Sequence, residues 1–316
     1  MHPRSIAHVI GTLLLVIGAA MVLPLLTTLF YEENDFQPLL ISMVIVLALG
    51  GPLRFFNPII LELTIRDAVV VTVFGWSIIC AVSTLPFLIS GTIPSFTDAF
   101  FEMMSGFTTT GATILNDIES LDHGLLMWRS ETHFLGGMGF LTLTMIFLPH
   151  GMAGANLFRS ESSPGQVITR ERFLPRNRDA MIWLWILYTI MNGFNILLLW
   201  LGGMNWFDSI CHAFSTVATA GFSPKNASMA HYGSVYFDWV TIVFMMLGGV
   251  TFMLYYHMLK GHWKVVWKNT ELRWYLGISL FFCVMVSLIL WHSESYLSFF
   301  DALRHGTFQV VSLLTT

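Results

Sequence analysis

Two stretches of the chain pair an aspartate with a Thr/Gly-rich end at one fixed distance. Phe96-Thr97-Asp98-Ala99-Phe100-Phe101 leads into Thr108-Thr109-Thr110-Gly111-Ala112, and Trp206-Phe207-Asp208-Ser209-Ile210 leads into Thr219-Ala220-Gly221-Phe222. Asp98 precedes Gly111 by thirteen residues, and Asp208 precedes Gly221 by thirteen. A third start, Phe299-Phe300-Asp301-Ala302-Leu303, runs through Val310-Val311-Ser312 to Thr315-Thr316. An extended strand of this composition offers carbonyl oxygens and threonine hydroxyls without formal charge. Such oxygens can replace the hydration shell of a cation. Glycine reaches, at no steric cost, the dihedrals that aim successive carbonyls at one axis. A divalent ion would recruit carboxylates, so an uncharged strand suits a weakly hydrated monovalent one. A single Thr-Thr-Gly would read as an ordinary buried turn. Two copies at one spacing, with a third start, read as walls of a cation filter.

Each strand needs a short helix before it and a membrane around it. Residues 95–113, 205–223 and 298–316 are too short and too polar to span, and are expected to be re-entrant. Asp98, Asp208 and Asp301 would sit in the first turn of each short helix, where a carboxylate complements the helix dipole; a funnel drawing external cations is the second use open to them. Apolar stretches of spanning length lie near 7–30, 38–56, 68–90, 125–148, 181–203, 237–259 and 273–292. The repeating unit is thus span, re-entrant helix, strand, span. Irregular backbone at membrane depth survives only where it is buried in protein or lines a water-filled path.

Composition supports lipid as the solvent. The 316 residues are 55% hydrophobic and 11% charged, against about 25% charged in soluble domains; mean hydropathy is +0.69. The apolar run from Ile6 to Phe30 exceeds a cleavable leader and reads as an uncleaved first helix. Cys80, Cys211 and Cys283 form no C-x-x-C pair and read as buried small hydrophobes. The net charge of −4 and the lack of a basic face exclude a nucleic-acid binder.

With the N-terminus in the cytoplasm and spans alternating, twelve of the fifteen Lys and Arg fall inside, including Arg170, Arg172, Arg176 and Arg178 in the 150–180 loop. Only Arg129, Lys225 and Arg304 fall outside, so the positive-inside rule favours this orientation. Arg129 and Glu131 are near enough in sequence to pair on one helix. Gly136-Gly137 and Gly248-Gly249 would let helices pack closely. No H-E-x-x-H or G-x-S-x-G motif occurs, and His123, His133, His150 and His212 show no coordinating spacing, so no enzyme chemistry is expected. Repeats entering from one side argue against the inverted repeats of many secondary transporters.

These residues resemble the TrkH/KtrB superfamily of potassium transporters, in its TrkH branch, over essentially the whole chain. The specific pieces are Arg66-Asp67, Leu85-Pro86-Phe87, Asp98-Ala99-Phe100-Phe101-Glu102 through Gly111-Ala112-Thr113, Trp128-Arg129-Ser130, Leu135-Gly136-Gly137-Met138-Gly139, Asn156-Leu157-Phe158-Arg159-Ser160-Glu161 and Phe308-Gln309-Val310-Val311-Ser312. The resemblance implies an all-α polytopic membrane protein: two extra N-terminal helices, then pseudo-repeats of span, pore helix and span around one pore. It implies potassium (K+) uptake across a bacterial inner membrane, a homodimer, and a cytosolic nucleotide-binding ring of TrkA type. Matching positions give filter residues Thr109, Thr110 and Gly111, then Thr219, Ala220 and Gly221, with Thr315 and Thr316 opening the third wall.

The expected segments are N-terminal helices in 1–60, a first repeat in 61–150, a cytoplasmic Arg-rich loop in 151–180, a second repeat in 181–260 and an incomplete third in 261–316. The third outer span and a fourth repeat fall beyond Thr316, so a fragment of a longer chain is expected. A symporter coupled to protons or sodium and a non-conducting truncated paralogue stand as alternatives.

Overall fold

A computed structural model describes residues 2–57, 64–139, 177–293, 296 and 298–315. All regular structure among them is helical. The chain divides into two compact units, with a boundary that falls between Ile182 and Trp183.

The first unit opens with α1 (Pro3–Ala20) and α2 (Val22–Tyr31), which together make one apolar stretch of 29 residues. After a left-handed turn at Glu32, α3 (Phe36–Phe55) returns along α1. The two helices approach so closely that a Cβ on Gly50 would stand 3.1 Å from the Gly11 carbonyl oxygen. Small residues at such a crossing let backbones touch where lipid supplies no hydrophobic drive. Next come α4 (Ile65–Ser83) and α5 (Leu85–Ser90), apolar across Val69–Ser90. The Arg66-Asp67 motif has a local purpose here. Thr64 and Asp67 form a reciprocal capping box at the start of α4, and Asp67 also accepts the His2 backbone N–H at 2.9 Å. Burial alone would push the Asp67 carboxyl up, but the bonds from His2 and Thr64 outweigh it and hold the group well below the usual range.

The short α6 (Phe96–Phe107) and then α7 (His123–Gly137) complete the unit. The first N–H groups of α7 have no partner inside their own helix. They are met from the α2–α3 turn: His123 N donates to Glu33 at 2.5 Å and Leu125 N to Asp35 at 2.9 Å. The His123 ring also bonds Glu33 and stacks on Tyr31. The expected span 125–148 is helical to Gly137; its remainder from residue 140, and the Arg-rich loop up to 176, lie outside the described residues.

In the second unit, α8 (Asn177–Leu201) leads to α9 (Trp206–Val217), a 3-10 turn (Ser228–Tyr232), α10 (Val235–Gly248) and α11 (Phe252–Leu259). The span expected over 237–259 is not straight: α10 and α11 meet at 90°. Carbonyls freed at this break find phenol donors. Tyr255 Oη donates to Leu247 O at 2.6 Å, and Tyr275 Oη to Met246 O at 3.1 Å. Broken helices persist in membranes only when such partners exist. Then follow α12 (Trp263–Lys268), α13 (Thr270–His292) and α14 (Phe299–Thr315), the last packed through Val310 and Val311 on Ile242, Met245 and Cys283. Among the described residues, five helices are long and apolar enough to cross a membrane, or six with the bent pair.

Candidate functional site

The site is built twice, once in each unit. In the first, Ser95 caps α6 by accepting the Asp98 backbone N–H, which places the carboxylate of Asp98 in the first turn. In the second, Asn205 caps α9 and accepts the Asp208 N–H at 2.7 Å. The aspartates then diverge. Asp98 is exposed and has no ion pair among the described residues. Asp208 is buried, accepts from Tyr232 Oη at 2.7 Å, and lies 3.6 Å from Lys225 Nζ. Asp301, opening α14, pairs with Arg304 at 3.3 Å. All three sit where they complement a helix dipole, and Asp301 shares its arginine with Asp238, which lies 3.5 Å from Arg304.

The far ends of α6 and α9 match bond for bond. Thr109 N donates to Gly106 O at 3.1 Å and Thr110 N to Ser105 O at 2.9 Å; Thr219 N donates to Thr216 O at 3.1 Å and Ala220 N to Ser215 O at 2.9 Å. This double bond pattern is the Schellman terminus, whose turning residue is usually glycine. Here it is threonine, with φ of 55° at Thr109 and 52° at Thr219. A β-branched residue in this region is a true outlier, and each costs about 1–2 kcal/mol. Such strain persists only when surrounding structure over-determines it, and it gathers at functional sites. Both threonines are buried. Of the glycines that follow, Gly111 is left-handed at 74° and Gly221 is not. Thr110 is exposed and Ala220 half-buried, while the Thr110 hydroxyl meets that of Thr108 at 2.9 Å.

The next helix backs each turn at a glycine. A Cβ on Gly136 would stand 2.1 Å from Phe107 O, and one on Gly248 would stand 2.6 Å from Val217 O. Phe107 and Val217 are the last helical residues of α6 and α9. The first glycine of each pair therefore serves close packing against the end of the short helix.

A buried clamp holds the irregular segment that follows the Thr109 turn in the first repeat. Glu102 of α6 accepts from Arg129 Nε at 2.6 Å, from Thr113 Oγ1 at 2.9 Å and from Ile114 N at 3.0 Å. An Arg129–Glu131 pair does not form: residues two apart point to different sides of a helix, and Arg129 turns to α6. Ion pair Glu102–Arg129 is 0% and 1% exposed. At the corresponding place in the second repeat, His212 Nε2 lies 3.5 Å from Ser223 Oγ.

Thr315 differs from expectation. It is the final residue of α14, and its hydroxyl donates to Val311 O at 2.8 Å within the helix. It is helical rather than extended, and packs so that a Cβ on Gly249 would stand 3.0 Å from its Cγ2. Thr316 lies outside the described residues. The spacing Ser105 to Thr109, Ser215 to Thr219 and Ser312 to Thr316 is the same. That signal registers the third segment on its serine, four residues later than its aspartate does. Glu102 and the carbonyls of Ser105 and Ser215 escaped the sequence reading. Among the described residues, no three His, Cys, Asp or Glu side chains gather as a metal site.

The family model for TrkH, a cation transport protein, matches residues 37–316. The Trk system potassium uptake protein TrkH of Salmonella typhimurium is 35% identical over 320 residues, covering 100% of this chain and 66% of the relative. Its counterpart in Escherichia coli K12 is 33% identical with the same coverage. The crystal structure of the potassium transporter TrkH from Vibrio parahaemolyticus matches with a TM-score of 0.86 at 32% identity, over 99% of this chain and 64% of that one. The chain thus spans just under two thirds of the length of these relatives.

Proposed function

The chain belongs to the TrkH family of cation transport proteins, and from that premise we propose that it forms pore walls for potassium uptake across a bacterial inner membrane. The observation that carries this reading is the paired threonine turn. Two pore helices end in one hydrogen-bond pattern, with Thr109 and Thr219 forced left-handed where carbonyls must face an ion. Thr109, Thr110 and Gly111, then Thr219, Ala220 and Gly221, supply the oxygens. Thr315 and Thr316 begin a third set. Potassium is cargo, and no covalent step is involved. A cytoplasmic N-terminus follows from the charge bias. Homodimerisation and a cytosolic nucleotide-binding ring of TrkA type belong to the same proposal, as what the sequence resemblance implies; the relatives' names speak of a Trk system and so of more than one component. The test is potassium-limited growth of uptake-deficient cells carrying the full-length gene. Gly111→Ser should lose preference for potassium over sodium, because serine is strained at this φ; an unchanged preference sinks the assignment.

One observation favours a second reading, uptake coupled to protons. Glu131 is buried in α7, and its Oε2 has no hydrogen-bond partner; an ionisable group inside a span is often part of a proton path. Under this reading Glu131→Gln would keep potassium uptake but remove its dependence on the proton gradient.

A further inference from the structure

The 90° bend between α10 and α11 breaks the apolar stretch, and α12 follows after three residues, with Asn269 alone between it and α13. This connecting segment is unusually exposed and unusually dressed. Trp263 is 53% exposed, Trp267 70% and Trp274 68%. Trp263 and Trp267 share one helix face, and Lys264 and Lys268 share the adjacent one, by their four-residue spacing. Val266, 6% exposed, fastens α12 to the protein.

Residues 260–274 carry Lys260, Lys264, Lys268 and Arg273 against the single acid Glu271. Glu271 is engaged with the Thr251 hydroxyl at 3.1 Å. None of the four cations has an ion pair among the described residues. Lys260 lies 5.3 Å from the centre of the Tyr256 ring. The patch runs on into the exposed apolar flank of α13 at Leu276 and Leu280, so its indoles border a lipid-facing surface.

We propose that residues 260–274 form a docking surface for anionic phospholipid headgroups. The indoles sit at headgroup level, where amphipathic rings are favoured, and the ammonium groups bind lipid phosphate. Unpaired cations beside a span are drawn to an anionic leaflet. A soluble acidic partner would match the lysines but not the continuity of Trp263, Trp267 and Trp274 with the span. This inference depends on the membrane-embedded fold and not on which ion the pore carries.

The test uses the full-length protein in nanodiscs of phosphatidylethanolamine, with and without phosphatidylglycerol. Retained lipid is counted by native mass spectrometry, and tryptophan quenching by brominated phosphatidylglycerol is followed in parallel. The wild type should retain phosphatidylglycerol selectively, and more weakly as salt rises. Replacing Lys260, Lys264 and Lys268 with Gln should weaken retention roughly 100-fold, about fivefold per lysine. The matching Lys→Arg variant should retain it, which separates lost charge from lost folding. Equal retention of both lipids, or retention unchanged by the Gln variant, overturns the proposal. So does a Gln variant whose lipid binding is intact but which no longer captures a cytosolic nucleotide-binding partner.

Discussion

Gly136 presses its Cα against the carbonyl of Phe107, leaving 2.1 Å between that oxygen and any Cβ placed there. Gly248 repeats the contact on Val217 at 2.6 Å. Backbone cannot give way as a flexible side chain can. Gly136→Ala should therefore cost about 1–3 kcal/mol through overpacking and displace the Thr109 turn. Gly193→Ala is the control, since a Cβ there meets nothing within 4 Å; it should be neutral or stabilising by up to about 1 kcal/mol. Thermal unfolding in detergent, with rubidium uptake measured alongside, distinguishes the two. Equal tolerance at both glycines would mean the helix ends are free to slide.

Thr219→Gly should relieve backbone strain of about 1–2 kcal/mol while removing a hydroxyl from the turn. The expected outcome is an unfolding midpoint that holds or rises, together with a poorer preference for potassium over sodium. Thr109→Gly should do the same in the first repeat. A sharp loss of stability in both variants would show that the threonine side chains, and not their strained backbone, maintain the turns.

Glu102→Gln leaves the buried Arg129 without its counter-charge, and breaking such a pair costs about 3–5 kcal/mol. Adding Arg129→Met should return most of that stability. Selectivity should stay impaired in the double variant, because the bonds to Thr113 and Ile114 remain weakened. Thr113→Val, which deletes one hydrogen bond of about 1 kcal/mol, should shift selectivity with little change in unfolding. Full recovery of selectivity in the double variant would assign Glu102 a purely structural role.

The junction between the α2–α3 turn and α7 should respond to pH. Burial raises the Asp35 carboxyl above its ordinary 3.8, opposed by the bond from Thr28 and aided by Asp122. A raised acid binds more protons folded than unfolded, so its contribution is complete below 3.8 and is lost as pH rises through the folded value. Asp35→Asn keeps an acceptor for the Leu125 N–H and removes this dependence. The variant should be the more stable near neutral pH, and its advantage should vanish in acid. Unfolding midpoints measured across the acid range check the crossing of the two curves.

Hydropathy made the long apolar helices, and the short helices between them, legible in the sequence. The matching distance from Asp98 to Gly111 and from Asp208 to Gly221 located both strained turns, because a short helix of fixed length separates each cap from its threonine turn. What stayed hidden depended on three-dimensional choices that spacing along one chain does not encode. Arg129 looked like a partner for Glu131, yet helical geometry turns it toward Glu102 on another helix. Two threonines adopting a conformation suited to glycine could not be foreseen, since propensity argues against it. The bend after Gly248 was masked by apolar residues on both sides. The third segment differs from the other two because its aspartate and its serine give registers one helical turn apart.

The caps that Glu33 and Asp35 place on the first turn of α7 bear on how the protein is made. During synthesis the α2–α3 turn emerges well before His123. Until it is in position, the leading amides of α7 have no acceptor from the chain itself and must rely on water. The hairpin thus works as a template at the translocation site, waiting for a helix that is not yet translated. Removing both carboxylates should therefore show itself first as a defect in insertion and chaperone release, even in molecules that later reach the native state.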